Sequence, residues 1–403
     1  MVIGNAVSYG HPEVEQVEQQ QLPYSFFPKL LRELIIRDRH SVVVAGTHGK
    51  STTAAMMATV LAKLGDDPSY FIGGVVRDLP ASLWRGAGSV SVVEGDEYDS
   101  AFFAKVPKFS FYAATTLVIT SIEYDHADIY PSLESINAVF TKEVLALPAQ
   151  SCVLCCSDQE NLQTLIAQWR AQARCRIVTY GRSPASEYHL EEVKSVGEAQ
   201  EMRATTLDGR VLSWKLGVPG AHNALNSLAV LAVADLLKLD VPKVKTALAG
   251  FLGVKRRQEV RFDERGITVV EDFAHHPTAV RETLAAMRQR YAGRRLWAVF
   301  EPRSNTSRKK VFQVPYVDAF QGADMVVLCQ VSARSNDTSS DLIDVGDLGK
   351  SIMAQGTPCL VLATAQQIAE QLAKDVTRGD VVLVMSNGSF GGLIDLLIQK
   401  LKS

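Results

Sequence analysis

Short apolar, β-branched runs alternate with amphipathic stretches along nearly the whole chain. One series of runs covers residues 41–46, 89–94, 115–120, 152–156 and 176–180; a second covers 267–271, 296–301, 324–329, 359–363 and 380–385. These runs lack polar alternation, the pattern of strands buried on both faces of a parallel sheet. Between the first two, Met56, Met57, Val60, Leu61 and Leu64 form a helical stripe. The pattern predicts two α/β units with a seam near residues 250–257, between a helix-rich stretch and the second series. The first 40 residues offer one strand at Val2-Ile3, a polar Glu/Gln stretch and one helix over 27–37. That is too little to bury a core of its own.

Composition narrows the class. In 403 residues, 42 Lys+Arg stand against 44 Asp+Glu, a formal charge of −2. No global basic field is present to hold a nucleic acid or an anionic membrane. No apolar run has the length of a membrane helix, and the start lacks a signal-peptide pattern. A cytoplasmic protein, monomeric or weakly homo-oligomeric, is the expectation. Cys152, Cys155 and Cys156 alternate along a strand without a second Cys/His pair nearby, which predicts core thiols and no zinc site.

The strongest local signal is Gly46-Thr-His-Gly-Lys-Ser-Thr52, which follows an apolar strand and opens a helix. Gly46 and Gly49 allow a tight backbone approach, so that N–H groups, from Thr47 and His48 onward, converge on anionic oxygens. The helix N-terminus adds partial positive charge. Lys50 then reaches phosphate oxygens and the Ser51 hydroxyl ligates Mg²⁺, with Thr52 following on the helix. The first glycine stands two residues later than in the commoner phosphate loop. ATP is the expected ligand.

Two acidic clusters end the following strands. In residues 94–99 (Glu-Gly-Asp-Glu-Tyr-Asp), Glu94 closes the strand as the metal-ligand candidate. Asp96, Glu97 and Asp99 fall on a loop or helix start. Residues 125–128 (Asp-His-Ala-Asp) put His126 between acids at the ligand-binding edge of a parallel sheet. Asn223 and Asn226 lie one turn apart on a helix start, where their amides suit an adenine edge or simply cap the helix. Arg257 sits at the seam, where a guanidinium meets a phosphate. The pair His275-His276 precedes Pro277, a helix-starting proline.

In this order the segments resemble the ATP-dependent Mur ligases of bacterial cell-wall synthesis: the short phosphate loop at 46–51, the acidic strand end at 94–99, Asp-His-x-Asp at 125–128 and His-Asn-x-x-Asn at 222–226. The resemblance implies a P-loop-type central parallel-sheet ATPase domain (41–254). It also implies a C-terminal Rossmann-like α/β ligase domain (255–403) and a remnant of an N-terminal UDP-sugar-binding Rossmann domain (1–40). The chain is then N-terminally shortened. Details at 94–99, 125–128, 272–277, 301–306 and 386–392 are most similar to the branch that joins a murein tripeptide, L-Ala-γ-D-Glu-meso-diaminopimelate, to UDP-N-acetylmuramate through an acyl phosphate. The alternatives are the branch that joins L-alanine, an ATP-binding remnant without ligase activity, and a folylpolyglutamate-type ligase.

The resemblance further implies roles. Lys50 takes the β/γ-phosphates, Ser51 and Glu94 one Mg²⁺, and His126 a second. Asn223 and Asn226 face adenine, Arg257 a phosphate and Asp272 the ribose. His275 lies near the reacting groups, and Arg303 and Ser304 take the peptide's carboxylates. Ser121 replaces the family's usual Asn, and its shorter side chain is expected to leave a hydrogen bond unmade.

Overall fold

A computed structural model describes residues 1–5, 7–331 and 341–402. The chain forms two compact units, one of Met1–Val218 with His222–Val254, the other of Pro219–Ala221 with residues from Lys255 onward.

The first unit is built on a ten-stranded sheet. Its parallel centre runs Ser69–Phe71, Val90–Gly95, His40–Ala45, Thr116–Ile119, Cys152–Cys156 and Arg176–Gly181. All five runs expected in this unit are strands. Because side chains alternate along a strand, Val42 and Val44 face one layer and Val43 and Ala45 the other. The first layer holds helices Lys50–Leu64, Ala221–Leu236 and Val241–Ala249; the second holds Leu133–Ala146 and Glu160–Gln172. The Cys155 and Cys156 thiols are buried and free, and burial pushes Cys156 up to about 12.

Three antiparallel strands, Tyr188–Val196, Ala199–Thr205 and Val211–Leu216, extend the sheet. No apolar run announced them. Their exposed positions carry charges that pair across the ladder, as Lys215 with Glu201 at 2.7 Å, so the sequence there is half polar. The first 40 residues also hold more than expected. Val2–Ile3 pairs in parallel with Ser25–Phe26. Pro12–Gln19, in the Glu/Gln stretch, is a helix whose Val14 and Val17 are buried; two apolar residues are too few to register as a stripe. The expected 27–37 helix is a short α-helix at Phe27–Leu31 continued by a π-helix at Arg32–Ile36.

The second unit has a six-stranded sheet in the order Glu259–Glu264, Ile267–Asp272, Val381–Met385, Leu296–Phe300, Met325–Cys329, Cys359–Leu362. All but the first strand are parallel. Helices Ala365–Asp375 and Leu393–Lys402 cover one face over Trp297, Val299, Val382 and Val384. Among the described residues, no helix is long and apolar enough to cross a membrane.

Candidate active site

In the first unit, strand His40–Ala45 ends in Gly46, whose φ of +123° favours glycine. A Cβ there would stand 2.5 Å from Thr120 Oγ1 and 2.7 Å from the Ser121 carbonyl oxygen. The loop is fastened to the neighbouring strand end. Thr47 N–H donates to Ser121 O at 2.9 Å, and His48 N–H to Ser121 Oγ at 2.8 Å. Ser121 thus makes a loop bond with the hydroxyl that was expected to leave one unmade. Gly49 (φ +81°) precedes helix Lys50–Leu64 without a described side-chain cap, so the first helical N–H groups have no described side-chain acceptor, the arrangement in which a helix start can take an anion. A Cβ on Gly49 would lie 2.7 Å from Asn226 Oδ1. Asn226 Nδ2 in turn donates toward Asn223 Oδ1 at 3.3 Å. The paired amides therefore abut the phosphate loop.

Lys50 Nζ folds back onto its own loop. It donates to Gly46 O at 2.6 Å and to Glu97 Oε2 at 2.8 Å, with Thr47 O at 3.4 Å. Ser51 Oγ donates to Glu94 Oε1 at 2.7 Å, and Gly73 N–H donates to Glu94 Oε2 at 2.8 Å. Glu97 is 2 % exposed, and its other oxygen lies 3.3 Å from His126 Nε2. His126 holds a left-handed φ of +51°, uncommon for a non-glycine residue, with its N–H donating to Asp125 Oδ1 at 2.6 Å. Ligand atoms of Glu97, Asp125 and His126 all lie within 4.8 Å of one another. Asp96 and Glu97 fall on the loop after strand Val90–Gly95, one of the two expected placements, but Glu97 is buried there. Asp99–Ala101 and Ala104–Pro107 form a hairpin, Lys108 pairs with Asp96 at 2.8 Å, and Tyr130 OH donates to Glu97 O.

These contacts set the charges. Burial alone would lower the Lys50 ammonium, but the carboxylates of Glu97, Asp96 and Glu94 raise it above the ordinary lysine range. Burial works against the Glu97 anion, yet Lys50 and His126 hold it below the usual glutamate value. Burial also opposes protonation of His126, and Glu97 overcomes that to raise it. Glu94 goes the other way, raised by burial and by Asp96 against the pull of Lys50.

In the second unit, buried Asp272 accepts from Gln258 N–H at 2.8 Å and from Ala274 N–H at 2.7 Å. Burial raises its carboxyl, with Arg257 opposing. Arg257 lies 4.7 Å over the Phe273 ring, and His275 Nδ1 is 3.0 Å from Phe273 O. His276 accepts from Thr278 N–H at 3.3 Å and so caps helix Pro277–Arg290. Arg303 packs so closely on Gly388 that a Cβ there would stand 1.6 Å from its Nη1. The Ser304 hydroxyl is engaged with Ser307, from whose N–H it accepts at 2.9 Å.

Both units have counterparts among known proteins. A family profile described as "Mur ligase middle domain" matches residues 44–234, and one described as "Mur ligase, glutamate ligase domain" matches 256–388. The UDP-N-acetylmuramate–L-alanyl-γ-D-glutamyl-meso-2,6-diaminoheptandioate ligase of Escherichia coli K12 is 34 % identical over 405 residues, covering 100 % of this chain and 84 % of that protein. The chain belongs to the Mur ligase family. A UDP-N-acetylmuramate–L-alanine ligase of Salinibacter ruber is 33 % identical over 98 % of this chain and 80 % of its own length. The crystal structure of the UDP-N-acetylmuramate–alanine ligase of Thermotoga maritima aligns with a TM-score of 0.79 at 26 % identity, over 100 % of this chain and 84 % of that one.

Within this Mur ligase fold the first unit brings together Gly46, Thr47, His48, Gly49, Lys50 and Ser51 with Glu94, and sets Asn226 against the loop. His126 meets Glu97 and Asp125. The second unit gathers Arg257, Asp272 and His275 at one strand end. A triphosphate and Mg²⁺ fit the first unit's donors: glycines at a backbone cradle, a lysine, and hydroxyl and carboxylate oxygens, which are hard ligands. Sequence reasoning passed over Glu97 as a partner of Lys50. It stood in a run of acids, and spacing alone does not say which acid turns inward.

Proposed function

We propose that the chain is an ATP-dependent amide ligase that joins L-Ala-γ-D-Glu-meso-diaminopimelate to the lactyl carboxylate of UDP-N-acetylmuramate through an acyl phosphate, releasing ADP and phosphate. The observation that carries the reading is Lys50 and Ser51 of the phosphate loop held within hydrogen-bond distance of Glu97 and Glu94. ATP supplies the phosphoryl group that makes a carboxylate oxygen a leaving group. The chain's part is positioning and charge neutralisation. The uncapped helix start and Lys50 hold the phosphates, while Ser51, Glu94 and His126 would hold Mg²⁺. Asn223 and Asn226 face the base. The roles of Arg257, Asp272 and His275 toward the nucleotide, and of Arg303 and Ser304 toward the peptide, belong to the same proposal. So do a cytoplasmic site of action in peptidoglycan recycling and the assignment of 1–40, 41–254 and 255–403 to UDP-sugar, ATP and ligase roles.

The tripeptide is favoured by the motif at 272–277 (Asp-Phe-Ala-His-His-Pro) and by the name of the E. coli relative. L-alanine is the second reading, supported by the names of the Salinibacter and Thermotoga relatives. ADP release is measured with ATP, Mg²⁺, UDP-N-acetylmuramate and either amine, omitting each in turn. Release that needs the tripeptide and ignores L-alanine supports the proposal. The reverse selects the second reading, and release with neither removes the ligase assignment.

A further inference from the structure

Lys50 has three donors, and its near neighbours are Gly46 O, Glu97 Oε2 and Thr47 O. A nucleotide phosphate that takes this lysine must displace the closest anion, Glu97. That carboxylate is 2 % exposed and cannot turn to water. Its second oxygen already faces His126 Nε2 at 3.3 Å, in a cluster with Asp125 whose ligand atoms lie within 4.8 Å. An anion released inside a closed site keeps its charge only if a cation meets it. Glu94 is not the exchanging group, because its two oxygens are held by Ser51 Oγ and Gly73 N–H. Asp96 is paired with Lys108 on the same segment. The backbone beneath Glu97 is pinned by Tyr130 OH, so exchange involves the side chain alone.

We propose that Glu97 is a positioning residue that couples the two halves of the site: it occupies Lys50 in the nucleotide-free protein and passes to the His126–Asp125 side when phosphate arrives, where a divalent cation receives it. The proposal rests on the nucleotide-binding reading above. By linkage, a ligand gains whatever the free state loses. Removing the Glu97 charge therefore strengthens metal-free phosphate binding through Lys50 and weakens the help that Mg²⁺ gives.

The test is calorimetric titration of ADP into the full chain, in EDTA and in Mg²⁺, for the unsubstituted protein, Glu97→Gln and the hairpin control Asp99→Asn, whose Asp99 pairs with exposed Lys105. Expected are at least tenfold tighter ADP binding by Glu97→Gln in EDTA, a smaller ratio of Mg²⁺ to EDTA affinity, and no change in Asp99→Asn. In a Lys50→Met background the gain from Glu97→Gln disappears. Should Glu97→Gln not fold, Glu97→Asp, one methylene short of Lys50, shows the same direction with smaller size. ADP binding by Glu97→Gln that is unchanged or weaker in EDTA overturns the coupling and leaves the nucleotide site standing. No ADP binding by the unsubstituted protein overturns that site and the coupling together.

Discussion

Under the proposed function, Lys50 and the two glycines just before it, Gly46 and Gly49, hold the phosphates of the first unit. Lys50→Ala removes the ammonium expected to meet the phosphates, and ADP release falls to background while the circular dichroism spectrum is kept; turnover within tenfold of the parent would remove Lys50 from the mechanism. Gly388→Ala tests the other unit. Its Cβ has no room beside the Arg303 guanidinium, so Arg303 must leave its place. If Arg303 grips the peptide, KM for the amine rises tenfold or more with KM for ATP unchanged, as steady-state kinetics would read directly. Glu97 makes a pH prediction. Its folded value lies below the ordinary glutamate range, so its stabilisation is complete above that range and is lost as pH falls through the lowered value. Urea unfolding of the parent and of Glu97→Gln therefore differs near neutrality, with the parent more stable, and the two converge as pH falls below the ordinary glutamate range and through the lowered value.

At the scale of elements, the helix that carries Asn223 and Asn226 depends on the antiparallel strands beside it. Trp214, on strand Val211–Leu216, donates its buried Nε1–H to Ser227 Oγ at 3.0 Å. Ser227 is the residue after Asn226, so the indole fixes the face on which the amides lie. Trp214→Phe keeps most of the packing and loses the bond, at a cost of about 1–2 kcal/mol in denaturant unfolding. A cost near zero would show the joint to be packing alone. These strands were hidden in the sequence for a physical reason. An edge meander with one wet face alternates charge and apolar residues, and Glu191, Glu201, Arg203 and Lys215 mask the strand signal. The central strands were legible because both of their faces are covered.

For the whole molecule, the division into two units with separate sheets gives a thermodynamic expectation. A ligand that binds the folded state raises its stability by RT ln(1 + [L]/Kd). ADP with Mg²⁺ at a hundred times its Kd should raise the unfolding free energy of the unit bearing Lys50 by about 2.7 kcal/mol. Scanning calorimetry of the full chain checks this. An unmoved transition for that unit would contradict the placing of the phosphate site.

The sequence by itself determined the parallel sheets, the glycine-lysine-serine turn between strand and helix and the acids at strand ends, because buried strands must be apolar throughout and because glycines at a strand end before a helix-forming run leave the chain few other paths. Even the helix-starting Pro277 was readable, since its fixed φ and missing N–H suit a first turn. Only the tertiary structure decided which carboxylate serves which partner. Glu94 turns to Ser51 and Glu97 to Lys50 and His126, a choice made by strand register and by the path of the loop into the hairpin that follows. Likewise, Asn226 meets Gly49 across more than 170 residues of chain. Such pairings depend on where distant backbone segments come to rest, and no local periodicity records that.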